Sequence, residues 1–298
     1  MGMIDSRLGK GAKGGLSPVN ALRAASLFVV MAISASAEAQ VTKYVRYAQP
    51  GPQGDISWGI LDGEAIRVLL GSPIVGAALT GETVPLSTVE LLAPVEPGKV
   101  IAIGFNYKSH LDEREPTPEP GVFIKLPSSI VGPGADIVFP PGAGNVHFEG
   151  ELVVVIGKEA SRVSKEEASD YIFGITAGND VSERDWQAAD LQWFRAKASD
   201  TFGPTGPVLA TGLNYGDLLL QTRVNGEVMQ KQRTRDLIFD VHDIVSFVSQ
   251  FVTLDPGDII FTGTPGATSA MKPGDVVEVE LEGVGILRNE IAAAGSHQ

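Results

Sequence analysis

Two carboxylates two residues apart, Glu149 and Glu151, lead into the apolar run Leu152-Val153-Val154-Val155-Ile156. In an extended chain, residues i and i+2 project from one face, so both carboxylates aim into one small volume. Like charges that close repel unless a cation lies between them, and an all-oxygen ligand set suits a hard divalent ion. The plainer reading is a strand whose solvent face carries two glutamates. A second apolar run, Tyr171 to Gly178, delivers Asn179 and a third carboxylate, Asp180. His110 and Glu113, at i and i+3 of a short segment that Asn106 could cap as a helix, would share a face. A carboxylate holding one ring nitrogen fixes the tautomer and raises the basicity of the other, which a general base needs. The alternative is a surface pair. Lys125 sits inside the apolar stretch Phe123 to Pro127; a buried ammonium needs a partner, so it either escapes to the surface or faces an anionic site. Arg184 and Gln187 follow Asp180 at a spacing that suits one face of a helix or turn.

These residues need strands and turns to place them. The chain is rich in glycine (35) and proline (19), which favours short strands and many turns over a helical bundle. Residues 40–96 read as a small β-rich unit with no visible chemistry, and residues 97–292 as the part that carries the candidate site. Within the second part, Val100 to Gly104 is a buried strand and the proline-rich stretch 115–121 is a loop. Val224-Asn225-Gly226-Glu227 is a hairpin turn, since Asn-Gly suits type I′. Ser164 with Glu167 forms a capping box for a short helix, and Asp240 caps another whose apolar face includes Ile244, Val245 and Val248.

The whole chain sets outer bounds. It carries a net charge of −13, which repels phosphodiester backbones and argues against nucleic-acid binding. It has no cysteine, which excludes disulfides, thiolate metal sites and a cysteine nucleophile. Residues 1–39 differ from the rest: Arg7, Lys10, Lys13 and Arg23 precede the apolar run Leu27 to Ile33 and the small residues Ala35-Ser36-Ala37-Glu38-Ala39. That is the layout of a secretory signal peptide, with a periplasmic or secreted mature protein as its consequence. The apolar run is short for a membrane span, so no membrane association is expected once it is removed. The alternative is an upstream extension on a cytoplasmic protein.

The ordered set Gly104-x-Asn106-Tyr107-x-x-His110, Phe123-x-Lys125, Glu149-x-Glu151-Leu152 and Asn179-Asp180-Val181-Ser182-x-Arg184-Asp185 resembles the fumarylacetoacetate hydrolase family. So does its sequel, Lys197-x-x-Asp200-Thr201-Phe202-Gly203-Pro204, Val224-Asn225-Gly226 and Thr262-Gly263-Thr264-Pro265. The look is that of acylpyruvate-hydrolase-like members. The resemblance implies a mainly β (α+β) fold, a rolled mixed β-sandwich with short helices and a small N-terminal β-rich domain. It further implies Mg²⁺ or Mn²⁺, with Ca²⁺ as a third candidate, on Glu149, Glu151 and Asp180. His110, Glu113 and Lys197 would be catalytic, and Lys125, Arg184, Gln187 and Thr264 would bind substrate. The expected partners are a small 2-oxo acid and a second copy of the chain in a homodimer. The implied reaction is hydrolysis of a C–C bond in an acylpyruvate or other 2,4-diketo acid, with hydratase, isomerase or decarboxylase chemistry as the alternative. A metal-dependent small-acid binding protein is the non-enzymatic alternative. Two departures bear on the substrate: the segment from Gly266 to Lys272 is shorter than the family's glycine-rich loop, and Thr205 replaces an apolar residue.

Overall fold

Runs of β-branched residues broken by glycine and proline fold as strands here, as their composition favours. The structure, a computed structural model, describes residues 40–49, 54–111 and 113–295. The expected signal segment 1–39 lies outside the described residues. The N-terminal part supplies β1 (Thr42–Ala48), β2 (Ile56–Asp62), β3 (Ala65–Leu69) and β4 (Leu79–Pro85). Then follow β5 (Val100–Gly104), β6 (Gly121–Lys125), β7 (Gly150–Ile156), β8 (Ile172–Asn179) and β9 (Gly203–Thr211). The chain continues through β10 (Leu219–Val224), β11 (Glu227–Arg233), β12 (Ile259–Phe261), β13 (Val276–Leu281) and β14 (Gly285–Ala292). Three short helices, α1 (Arg184–Ala189), α2 (Phe194–Ala198) and α3 (Val241–Ser249), complete the frame.

One sheet runs β4-β3-β2-β1-β9-β8-β7-β12-β5-β6, and a second runs β11-β10-β13-β14 with Ile137–Val138 on its far edge. Neighbours along the first are antiparallel except β12 and β5, which are parallel. The two mixed sheets and few short helices are the mainly β architecture expected. β1 pairs with β9 through Tyr44 and Leu209, so the N-terminal strands extend the first sheet.

β7 lies at the centre and is buried along its whole length. Leu152, Val154 and Ile156 pack with Ile244 and Val245 of α3 and with Leu220 and Val279 of the second sheet. Val153 and Val155 point the other way, onto Val100, Ala102 and Phe261. Both faces are covered, which is why the run is continuously apolar and not alternating. Glu149 and Glu151 share the odd-numbered face and are 4% and 1% exposed. The reading of a solvent-facing strand is therefore wrong.

Several local expectations hold. Asn225 and Gly226 take φ of 52° and 84° in the β10–β11 turn, the positive values a type I′ hairpin requires. Asp240 and Asp243 cap α3 reciprocally. Two others fail. The Ser164 side chain does bond Glu167, but only a 3₁₀ turn at Ala168–Tyr171 follows. Asn106 caps no helix: its amide donates to the Phe239 and Thr262 carbonyls at 3.0 and 2.8 Å and accepts from the Phe239 amide at 2.8 Å. Buried backbone polar groups outcompeted the cap, and Lys108–His110 forms a single 3₁₀ turn. None of the described helices is long and apolar enough to cross a membrane.

Candidate metal centre and active site

The period-two geometry of β7 sets the centre of the site. The Asp180 amide donates to the Glu149 carbonyl at 2.8 Å, so the end of β8 stays beside the start of β7. Glu149, Glu151 and Asp180 each bring one carboxylate oxygen within 4.8 Å of the others. Glu149 Oε1 accepts from Arg184 Nη2, and its Oε2 accepts from Lys197 Nζ, both at 2.6 Å. Lys197 Nζ also donates to Asp180 Oδ2 at 2.6 Å. Burial works against charge on Glu149, but the paired Lys197 and Arg184 outweigh it and hold that carboxyl well below its ordinary range. Glu151 has weaker help, from the Gly263 amide and, without direct contact, from Lys197. Its Oε2 accepts the Gly263 amide at 2.6 Å, and no salt bridge reaches it among the described residues. Burial, then the charges of Asp180 and Glu149, push its pKa well above the usual carboxylate value. Three buried hard oxygens, one of them short of a cation, fit a divalent ion.

The remaining expected residues divide. His110, Arg184, Gln187, Lys197 and Thr264 line the same cavity as the triad. Arg184 Nη1 donates to Gln187 Oε1 at 2.7 Å, one turn along α1. Thr264 Oγ1 donates to the Gly150 carbonyl at 2.9 Å and receives Gln230 Nε2 at 2.9 Å, which braces the strand between the two glutamates. His110 Nε2 lies 3.7 Å from Glu149 Oε1, while Nδ1 contacts the Gly266 carbonyl at 2.5 Å. A carbonyl only accepts, so Nδ1 carries the proton and the Nε2 lone pair faces the triad.

Two expected placements are corrected. Glu113 is exposed and does not line the cavity, and the partner of His110 Nδ1 is the Gly266 carbonyl. The single 3₁₀ turn ends before Glu113, so the i, i+3 face that would join them is never built. Lys125 is not in the cavity wall either. It points inward from β6, fully buried, and donates to Asp180 Oδ1 at 2.7 Å and to the Lys197 carbonyl. Burial lowers its pKa even with Asp180 beside it. Lys125 holds the back of a metal-site carboxylate and cannot reach a ligand in the cavity.

Other residues of the site had no clear signal in the sequence. Phe105, Phe123 and Trp193 form an aromatic wall, and Arg114 lines the cavity beside them. Thr268 and His147 complete a chain of hydrogen bonds. Arg184 Nη2 donates to Thr268 Oγ1 at 2.9 Å, so the one hydroxyl proton of Thr268 goes to His147 Nδ1 at 2.8 Å. His147 Nε2 then donates to Asn145 Oδ1 at 2.9 Å, and Asn145 Nδ2 to Asp185 Oδ1 at 2.8 Å. The ring starts and ends on α1 and fixes the Arg184 guanidinium. His147→Ala and Thr268→Ala should each weaken binding of an anionic probe such as oxalate about 5-fold, with the double variant no worse than either single one, because contacting members of one network are non-additive. Calorimetric titration of oxalate into the four metal-loaded proteins checks this; independent, multiplicative losses would refute the ring. Thr205, the departure noted above, is buried in β9 opposite Gly178 and touches none of these groups.

Known proteins resemble the chain along most of its length. A family model described as "Fumarylacetoacetate (FAA) hydrolase C-terminal" matches residues 99–292, and one described as "Rv2993c-like, N-terminal" matches residues 42–94. The chain belongs to the fumarylacetoacetate hydrolase family. It is 42% identical over 222 residues to a human mitochondrial protein named oxaloacetate tautomerase FAHD2A, covering 70% of this chain and 71% of that one. A crystal structure described as 5-carboxymethyl-2-hydroxymuconate delta-isomerase from Mycobacterium smegmatis superposes with a TM-score of 0.79 at 40% identity, covering 84% of this chain and 99% of that one. A structure described as 2-hydroxyhepta-2,4-diene-1,7-dioate isomerase from Mycobacterium marinum gives 0.79 at 40% identity, covering 86% and 100%. The chain is thus an enzyme of this family.

Proposed function

We propose that the protein is a divalent-metal-dependent enzyme that moves a proton on a small 2-oxo acid, acting as a tautomerase or isomerase. Glu149, Glu151 and Asp180 would hold the cation, with Mg²⁺ or Mn²⁺ the best match to compact carboxylate ligation. When bound, it would supply Lewis-acid polarisation of the substrate's 2-oxo group. The protein's own side chains do the rest. Arg184, held by Gln187 and Thr268, pairs with the substrate carboxylate. The Lys197 ammonium offsets negative charge that develops on the 2-oxo oxygen. His110 Nε2 takes a proton from the carbon next to the 2-oxo group. It returns that proton to oxygen in a tautomerisation, or to a more distant carbon of an unsaturated acid in an isomerisation. No atom is gained or lost.

One contact carries this reading: His110 Nδ1 is tied to the Gly266 carbonyl, which leaves Nε2 as a single proton acceptor facing the triad. A proton shuttle needs nothing more. Two relatives are named for such chemistry, a tautomerase and a delta-isomerase. Hydrolysis of a C–C bond is the second reading, favoured by Glu113 standing three residues after His110. It requires Glu113 to displace the Gly266 carbonyl from Nδ1 and a water molecule to be activated.

Proton NMR in D₂O on oxaloacetate, a 2-oxo-enoate and an acylpyruvate separates the two. Deuterium should enter at the carbon next to the 2-oxo group with the carbon skeleton intact; pyruvate and a second acid would establish hydrolysis instead. His110→Gln should slow exchange about 10²- to 10⁴-fold, and Glu113→Gln about 2-fold or less. Equal losses in the two variants would restore the His110–Glu113 dyad. No exchange or cleavage on any substrate would leave only a binding protein.

A further inference from the structure

Gly266 is gripped at both ends by two neighbouring residues of one turn. Its amide donates to Ser109 Oγ at 2.9 Å, and its carbonyl receives His110 Nδ1 at 2.5 Å. The backbone there holds φ of 63°, in the left-handed region, and a Cβ would meet nothing within 4 Å. Glycine serves here for its conformational freedom, which lets the carbonyl turn back onto the ring, and not for want of room. A serine hydroxyl has one proton to give. Ser109 gives it to Gln232 Oε1 at 2.5 Å, so its lone pairs are left to accept the Gly266 amide.

Gln232 lies on β11, the edge strand of the second sheet, two residues beyond Gln230. Where Thr222 pairs with Gln230 and Arg223 with Val228, the ladder skips Met229. A bulge of this kind re-aims side chains and recurs beside active sites. Here it leaves Val228 and Met229 both exposed and buries Gln230. Past the bulge, Gln230 and Gln232 share a face. Gln230 Oε1 accepts the Gly150 amide at 3.1 Å, between the two metal-site glutamates, while its Nε2 donates to Thr264 Oγ1 and to the Pro265 carbonyl. One face of one strand thus grips β7 through Gln230, and the turn of His110 through Gln232 and Ser109.

We propose that Ser109 and Gln232 are positioning residues that fix the Gly266 peptide and, through its carbonyl, the ring of His110 relative to the metal centre. Neither lines the cavity, so both act through His110 and not on a ligand. The clamp keeps the proton on Nδ1 and the Nε2 lone pair aimed at the carbon that gives up its proton. This rests on the reading of His110 as the proton shuttle. It adds what holds the shuttle in place.

The test uses the full Mg²⁺-loaded chain and whichever of the three acids above the parent exchanges fastest. Ser109→Ala should lower kcat for deuterium exchange about 30-fold and leave KM and oxalate affinity within about 2-fold. Misplacing a catalytic group by about 1 Å costs up to about 10²-fold, and a loss confined to kcat marks an interaction made in the transition state. Ser109 is exposed and leaves room for a methyl group, so Ser109→Thr should restore kcat to within about 3-fold. Gln232→Met leaves the hydroxyl unanchored and should lower kcat about 5-fold. In proton–nitrogen NMR of histidine-labelled protein, the Nδ1 proton of His110, assigned by its loss in His110→Gln, should be visible in the parent and in Ser109→Thr. Solvent exchange should erase it in Ser109→Ala. A parent whose activity survives His110→Gln removes the shuttle itself. Where activity does depend on His110, the clamp alone is overturned by a Ser109→Ala variant that keeps the parental kcat and Nδ1 proton, or that loses oxalate affinity together with kcat. A Ser109→Thr variant as slow as Ser109→Ala overturns it too. If Ser109→Ala does not fold, Gln232→Met at the parental kcat is sufficient to do so.

Discussion

Replacement of Glu151 by glutamine is expected to raise the melting temperature of the metal-free protein while abolishing metal binding and turnover. The Glu151 carboxyl is 1% exposed, beside two other carboxylates and without a salt bridge. Burial and the charges of Asp180 and Glu149 push its pKa well above 4.5. The folded metal-free protein therefore holds that proton more tightly than the unfolded chain does. Its stability should fall as pH rises from the ordinary carboxyl value toward the raised one, because the unfolded state ionises first. Glutamine has the same shape, carries no charge and still accepts the Gly263 amide. The variant should lose this slope and gain about 1–3 kcal/mol at neutral pH, or several degrees. Cation binding to the native state alone stabilises the parent by mass action, and the variant should gain nothing from it. Turnover should fall about 10³-fold, as expected when a ligand of a Lewis-acid centre is lost. Thermal melts between pH 5 and pH 8, with and without Mg²⁺, read both effects. A metal-free variant that melts below its parent would contradict the account of the triad.

Gly150→Ala should damage both the fold and the metal centre. Gly150 separates the two metal-site glutamates, and a Cβ there would lie 2.0 Å from Thr222 Oγ1 on the second sheet. Real side chains do not approach so closely. β7 is pinned by β8 and β12 on either side, so the clash must be relieved by moving the strand that sets the carboxylate spacing. A loss of about 3 kcal/mol and of most metal affinity is expected. The same geometry names its own remedy. Thr222 Oγ1 is buried and has no hydrogen-bond partner, so its removal forfeits little. With that oxygen gone, the nearest atoms are Thr222 Cβ and Val279 Cγ1 at 3.3 Å, which a slight shift accommodates. Gly150→Ala with Thr222→Ala should recover most of the melting temperature and metal affinity. A double variant as unstable as Gly150→Ala alone would show that the glycine acts through something other than this contact.

What could be read in the chain depended on the range of the interaction. Glu149 and Glu151 were legible because strand geometry alone puts i and i+2 on one face, and the apolar run after them announced the strand. Arg184 and Gln187 were legible for the same reason on a helix. The β10–β11 turn and the cap of α3 are equally local. The failures occurred where a distant segment made the better offer. Asn106 has the residue type of a cap but clamps Phe239 and Thr262. Lys125 has the charge of a ligand contact, yet Asp180, brought in by β8, draws it behind the metal centre. His110 was paired with its near neighbour Glu113, whereas the Gly266 carbonyl arrives from the far end of the chain. The aromatic wall was illegible because Phe105, Phe123 and Trp193 come from three separate segments, and Phe105 and Trp193 hold positive φ. The His147–Thr268 ring could have been suspected only from His147 lying two residues before Glu149 on the same side of the chain.

The parallel pairing of β5 with β12 joins Val100 to Ile259, and it brings the segment of His110 to the segment of Gly263 and Thr264. A parallel pair cannot form by local hairpin closure, and here most of the chain lies between its strands. The residues of the site therefore converge late in folding, after the long-range topology is in place, a slow event in proteins dominated by distant contacts. A cation that recognises the finished triad has nothing to template on the way there. It acts as a lock on the native state, slowing escape from it without hastening arrival.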